Sequence, residues 1–343
     1  MNEALLEIRG LSVRFDTLAE PPRPVRALDD VHLKIAPGET LGLVGESGCG
    51  KSTLAYSLLR LVPPPGRIVK GEVLWKGQDL LRLSDQAIRH VRGKEIALIF
   101  QDPSAALNPV LTIGTHVAEP LQIHRGMGRQ EAWQEAVELL EAVGIPDPAV
   151  RAKDYPHQMS GGMKQRVSIA MAIACSPDLL IADEPTSALD VTVQAQILEL
   201  LERLKEELRL AILLVSHDLG VVAQHADRVA VMYAGRIVEE APVGLIFHDP
   251  KHPYTTGLLR SLPGASGSVG SAGKKKLHGI PGTVPDLAAL PPGCAFAPRC
   301  PLEFDACRRV VPPLLTVSPE HLAACYAYPE IVAAIGEKAS RGQ

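Results

Sequence analysis

Residues 45–52 read GESGCGKS, with four residues between Gly45 and Gly50 and then lysine and serine, and those types at that spacing suit one task. Glycines let successive backbone N–H groups turn inward around phosphate oxygens, and a helix starting at the loop's end adds its positive pole. Lys51 is then placed to reach β- and γ-phosphates, and the Ser52 hydroxyl to ligate magnesium. A second group, residues 179–184, is an apolar run ending in two carboxylates. Asp183 can hold magnesium through its water shell, and Glu184 can polarise an attacking water. A third, Ser160-Gly161-Gly162, opens a helical pattern and offers a hydroxyl and several N–H donors to an anion. The chemistry described is the binding of a nucleoside triphosphate and its cleavage by water.

These groups need elements to hold them. The apolar run Thr40–Val44 predicts a strand leading into the loop, and residues 53–59 a helix leaving it. Alternation at residues 5–9, 11–15 and 31–35 predicts further strands, with a proline-rich insert at 20–24 and a turn at Pro37-Gly38-Glu39. After residue 110 the pattern changes. Residues 130–143 carry apolar positions at helical spacing, stopped by Gly144 and Pro146. From 179 to 238 strand and helix signals alternate again, the helix falling at 193–207. This order predicts an α/β fold with a parallel sheet interrupted by a helical insertion. Beyond about residue 245 prolines become frequent, and residues 264–276 predict a flexible linker whose three lysines are a solvated run. There is no internal repeat.

Composition narrows the class. The chain has 343 residues, room for about two domains. Its 35 basic and 39 acidic side chains leave a net charge of −4, which argues against a nucleic-acid protein held by a broad basic field. The N-terminus has no secretory pattern, and the longest apolar stretches are too short to span a bilayer, so membrane association is expected through partners. Of six cysteines, Cys49 and Cys175 are expected to be structural. The other four, Cys294, Cys300, Cys307 and Cys325, lie among prolines. An intracellular setting argues against disulfides there, and four thiolates suit zinc or an iron–sulfur cluster.

Taken together, these features resemble the ATP-binding subunit of ABC transporters over nearly the whole chain. Residues 45–52 look like the Walker A loop, 159–166 (MSGGMKQR) the signature and 179–184 the Walker B strand. Gln101 matches the glutamine loop, Ser187-Ala188-Leu189-Asp190 the D-loop, and His217 the switch histidine. Phe15 stands where the family places an aromatic residue to stack on adenine; a core aromatic is the alternative. One departure is Met163, where the usual signature has glutamine after the two glycines; Ser160 and Gly162 are retained, so the change is not read as inactivating. The resemblance implies a P-loop NTPase core with a mainly parallel sheet, an antiparallel β subdomain and a helical subdomain at about 102–172. The nucleotide-binding domain would cover 1–245 and an irregular cysteine-containing extension 246–343. It implies ATP contacts from Gly45, Glu46, Ser47, Gly48, Cys49, Gly50, Lys51, Ser52, Thr53, Gln101 and Asp183, and from Ser160, Gly161, Gly162 and Asp190. Magnesium would be held by Ser52, Gln101 and Asp183. Catalysis falls to Glu184, His217 and Gln101. The signature of one subunit would complete the ATP site of another.

The extension refines this. Residues 252–255 (HPYT), 258–263 (LLRSLP) and 280–285 (IPGTVP), with the 186–194 segment, resemble the oligopeptide and dipeptide importers, and there the "D" member. That branch implies peptide import with a second, different ATPase subunit, two permeases and an extracytoplasmic peptide-binding protein, at the cytoplasmic face of the cell membrane. It also implies a [4Fe–4S] cluster at the cysteine quartet, zinc or unligated thiols being the alternatives. A nickel importer is the competing cargo, and a soluble ABC ATPase of translation or DNA repair the competing class. The latter usually has two cassettes or a long coiled coil, and this chain shows one loop and no long heptad run.

Overall fold

The computed structural model describes residues 4–16, 23–187, 189–262 and 279–328. Most of the proline-rich insert, the 264–276 linker and Ala188 of the D-loop lie outside them. The chain divides into two compact units. One takes Met1–Glu7, Lys34–Thr40 and Leu74–Val215; the other takes Ile8–Leu33, Leu41–Val73 and Ser216–Gln343.

In the first unit the strands Ile96–Ile99, Leu179–Asp183 and Ala211–Ser216 pair in parallel, with Ile96 opposite Leu179 and Leu179 opposite Ala211. Leu179–Asp183 is buried at every position, as is Ala211–Ser216. Both strands are therefore apolar runs without alternation, the pattern of a parallel sheet covered on two faces. Helices Ile113–Arg125, Arg129–Ala142 and Gly161–Ile173 pack on one another, and Gly161–Ile173 also meets Ile96–Ile99 and the helix Val191–Leu208. The helix expected at 130–143 starts one residue earlier and ends with Val143 as its C-cap and Gly144 at φ +77°. The helix expected from 193 starts at Val191, because the Asp190 carboxylate accepts the Val193 N–H at 3.0 Å and caps it.

In the second unit the alternation at 5–9 and 11–15 belongs to a single strand, Leu6–Phe15; Gly10, at φ +61°, lets it pass what reads as a break. Val25–Ile35 and Gly66–Trp75 flank it. Thr40–Val44 runs parallel to Arg228–Tyr233, Leu41 opposite Arg228 and Val44 opposite Val231. Arg228–Tyr233 returns through Ala234 and Gly235, at φ 46° and 80°, a two-residue turn with both residues left-handed, into Arg236–Pro242. The extension is less irregular than expected. It forms helices Val243–His248 and Pro253–Arg260, and its strand His321–Ala323 pairs antiparallel with Arg236–Pro242 and with Leu315–Ser318. Three- and four-residue strands carry too little alternation to be read from sequence. Buried Glu239 joins the pieces: it accepts the Lys251 and His252 N–H groups and pairs with His321 Nε2 at 2.7 Å. The rings of Tyr233, Tyr254 and Phe296 form this unit's aromatic centre, with centroids 4.6–5.4 Å apart.

Candidate active site

Thr40–Val44 delivers the phosphate loop, and the helix Lys51–Leu58 leaves it. Two glycines show why the loop has its shape. A Cβ on Gly45 would stand 2.2 Å from the Met232 carbonyl oxygen. Gly50, the N-cap, sits at φ 111° with the Ala27 carbonyl 2.5 Å from where a Cβ would be. No other residue fits either place. Lys51 is buried, and its Nζ donates to the Gly45 carbonyl at 2.8 Å and the Glu46 carbonyl at 3.3 Å. The ammonium is thus tied to the backbone it serves. Ser52 and Thr53 follow half-buried on the first helical turn, and Ser47 and Gly48 are exposed. Cys49 is fully buried, burial pushes its thiol up, and its carbonyl accepts the Gly235 N–H at 2.8 Å. Its side chain packs inside the unit. In the same unit His217 is exposed in the loop after Ala211–Ser216. Phe15 is half-buried, its ring edge where a Cβ on Gly66 would meet it at 2.6 Å.

Glu46 shows partners that no local pattern announced. Its N–H donates to the Tyr254 hydroxyl at 2.8 Å, and its carboxylate takes both Nη atoms of Arg299, at 2.7 and 3.0 Å. These partners lie 208 and 253 residues away. In the sequence Tyr254 stands out only as part of HPYT, and no motif marks Arg299. Bonding to Glu46 raises the Arg299 guanidinium above its usual range.

The first unit carries the other groups. Asp183 is fully buried at the end of its strand, and Glu184 follows half-buried. Glu184 turns out of the strand at φ 45°, its N–H held by the Val215 carbonyl at 3.0 Å. Gln101 Nε2 donates to Glu184 Oε2 at 3.1 Å, so two of the three expected catalytic residues meet here. Ser160 caps Gly161–Ile173, its hydroxyl accepting the Met163 N–H at 3.3 Å. Ser160 and Gly161 are exposed, and a Cβ on Gly162 would stand 2.7 Å from Val193. Asp190 is exposed and engaged as the cap of Val191–Leu208.

The donor sets can be tested against the expected groups. The Ser52 hydroxyl, the Gln101 amide oxygen and the Asp183 carboxylate are hard oxygen ligands, the set magnesium prefers. The cysteine quartet fits less well. Cys294 N–H donates to the Cys307 carbonyl at 2.7 Å, and all four are free thiols. Burial raises Cys294 to about 11 and pushes Cys300 and Cys325 up too, which favours thiols over thiolates. Among the described residues no group of three or more His, Cys, Asp or Glu is placed to hold a metal ion. This geometry does not support the iron–sulfur or zinc expectation. No helix among the described residues is long and apolar enough to cross a membrane.

Comparison with known proteins agrees with the phosphate-loop reading. The family described as ABC transporter matches residues 28–187, and the Oligopeptide/dipeptide transporter, C-terminal region matches 238–307. A Brucella melitensis protein named for peptide import and ATP binding is 51% identical over 339 residues, covering 96% of this chain and 99% of its own. A Sinorhizobium fredii protein named as a peptide ABC transporter ATP-binding protein is 50% identical over 331 residues, covering 96% and 97%. Among solved structures, the ATP-binding cassette MJ0796, dimeric and bound to ADP and Pi, matches with a TM-score of 0.61 and 30% identity. That match covers 69% of this chain and 98% of that one. The chain belongs to the ATP-binding subunits of ABC transporters, in the branch that carries the oligopeptide/dipeptide transporter C-terminal region.

Proposed function

We propose that this chain is the ATP-hydrolysing subunit of a peptide importer. The observation that carries the reading is the phosphate loop, with Gly45 and Gly50 sterically required, Lys51 buried at its base and a helix N-terminus at its end. The peptide cargo rests on relatives named for peptide import and on the matching extension.

In this reading the loop N–H groups and Lys51 bind the β- and γ-phosphates. Ser52, Gln101 and Asp183 would hold magnesium, which when bound offsets phosphate charge. Glu184 takes the proton of the attacking water, and Gln101 orients that carboxylate through its amide bond. His217 donates to the γ-phosphate, and Phe15 stacks on adenine. Ser160, Gly161, Gly162 and Asp190 serve the ATP of the partner ATPase, so that two ATPs join two subunits. Two permeases and an extracytoplasmic binding protein complete the assembly, which places this subunit on the cytoplasmic face of the cell membrane.

Affinity capture from detergent-solubilised membranes, with mass spectrometry of what co-purifies, tests the reading. Two permeases, a second ATPase and a peptide-binding protein are the expected companions. A nickel-binding protein would change the cargo, and a chain captured with no permease would overturn the transporter reading. A [4Fe–4S] cluster at Cys294, Cys300, Cys307 and Cys325 is a separate proposal, carried by the resemblance, and it requires the thiols to draw closer than described. Stoichiometric iron and sulfide after anaerobic purification would support it; four titratable thiols without iron would remove it.

A further inference from the structure

Glu46 raises an electrostatic problem. It is the second residue of a loop built to receive a triphosphate, and a carboxylate there repels the ligand. The extension supplies the answer. Arg299 makes four hydrogen bonds: two to the Glu46 carboxylate, one from Nε to the Pro281 carbonyl at 2.9 Å, and one to the Tyr233 hydroxyl at 3.3 Å. Its side chain is 5% exposed, and the guanidinium lies 5.9 Å from the Tyr233 ring centroid and 6.0 Å from that of Phe296. A charge buried this deeply costs stability unless its partner is charged and well aligned, and the fork-to-fork pairing with Glu46 provides that. Tyr254, fully buried, fixes the same residue through its backbone N–H. Arg299 closes the short turn Ala297–Arg299 that leads directly into Cys300.

We propose that Arg299 is a positioning residue for ATP binding: it neutralises Glu46 and clasps the phosphate loop, so that the cysteine-bearing turn of the extension and the nucleotide site are mechanically one. This rests on the loop being the ATP site. Loss of the clasp leaves the Glu46 charge facing the triphosphate. Charge, rather than loop shape alone, is then what the substitution exposes.

The test is ATP and adenosine affinity of the full-length chain, with thermal melting as the folding control. Arg299→Met should weaken ATP about tenfold while changing adenosine little. Adding Glu46→Gln, which leaves the loop backbone in place, should recover most of the roughly tenfold loss seen in Arg299→Met, since removing both charges leaves neither unpaired. Arg299→Lys keeps the charge without the fork and should fall between. Unchanged ATP affinity in Arg299→Met, or a double variant no better than the single one, would overturn the proposal. Should Arg299→Met fail to fold, Arg299→Gln, which keeps hydrogen-bond donors without the charge, decides: ATP affinity equal to the parent's overturns it. Failure of the parent chain to bind ATP would instead sink the functional reading itself.

Discussion

At the scale of single residues, Glu184 shows how the backbone can aim a side chain. The strand ends at Asp183, and Glu184 steps into the left-handed region at φ 45°, a conformation costing roughly 1 kcal/mol or more for a residue with a Cβ. The Val215 carbonyl holds its N–H and Gln101 its carboxylate, so the step is over-determined. Glu184→Gln preserves size and backbone but removes the basic oxygen. Phosphate release should fall at least about a hundredfold with ATP affinity unchanged; near-parental turnover would take Glu184 out of the role of base. Met163 makes the opposite prediction. Its backbone N–H serves the Ser160 cap, and its side chain is half-buried beside it. Met163→Gln should leave ATP turnover within about twofold of the parent, because the cap uses backbone common to both residues. A larger change would mean that the methionine side chain itself matters to the signature.

At the scale of elements, the helix Pro253–Arg260 is held by an imidazole. His252 Nδ1 accepts the Tyr254 N–H at 3.1 Å, the His252 backbone N–H donates to the Glu239 carboxylate at 2.9 Å, and the ring faces Phe296 at 5.8 Å. Burial pushes the ring down to about 4, against the opposing pull of Glu239. A proton would both charge the interior and remove the acceptor that caps the helix. The unfolded chain takes up that proton near the ordinary value of 6.5, before the folded chain does. Stability from this group is therefore complete above about pH 6.5 and is lost as pH falls toward about 4. His252→Asn keeps a capping acceptor without the titration. Between about pH 7 and about pH 4.5 its denaturant-unfolding free energy should drop by about 2 kcal/mol less than the parent's. An identical drop would show that other groups set the acid sensitivity. What could be read beforehand divides on the same physical line. Loop, strand and helix around Lys51 were legible because their information is local: glycines, an apolar run and a periodic segment in sequence order. The carboxylates at 183 and 184 were legible for the same reason. The partners of Glu46 were not, because an arginine 253 residues away carries no periodicity or spacing to mark it. Nor were the strands at 315–318 and 321–323, short pieces that pair with each other, the second also with the edge of Arg236–Pro242. The cysteines were visible as a group, but the burial that raises Cys294, Cys300 and Cys325 was not.

At the scale of the whole molecule, one chain carries one phosphate loop and one Ser-Gly-Gly helix start, and the proposed mechanism assigns them to different ATPs. That assignment separates two quantities a single-site enzyme would keep together. If Ser160 serves the partner's nucleotide, Ser160→Arg should leave this chain's own ATP affinity within about twofold while blocking association with the second ATPase. If Ser160 served its own ATP, the same substitution would weaken binding directly. The measurement uses the Glu184→Gln background, in which hydrolysis cannot dissolve the complex, and light scattering with and without ATP. The expected result is an ATP-dependent rise in mass when the captured second subunit is present, abolished by Ser160→Arg at full nucleotide occupancy. A rise of the same size with this chain alone would make the working pair a homodimer. A Ser160→Arg chain that loses its own ATP would return the signature to the site of its own subunit.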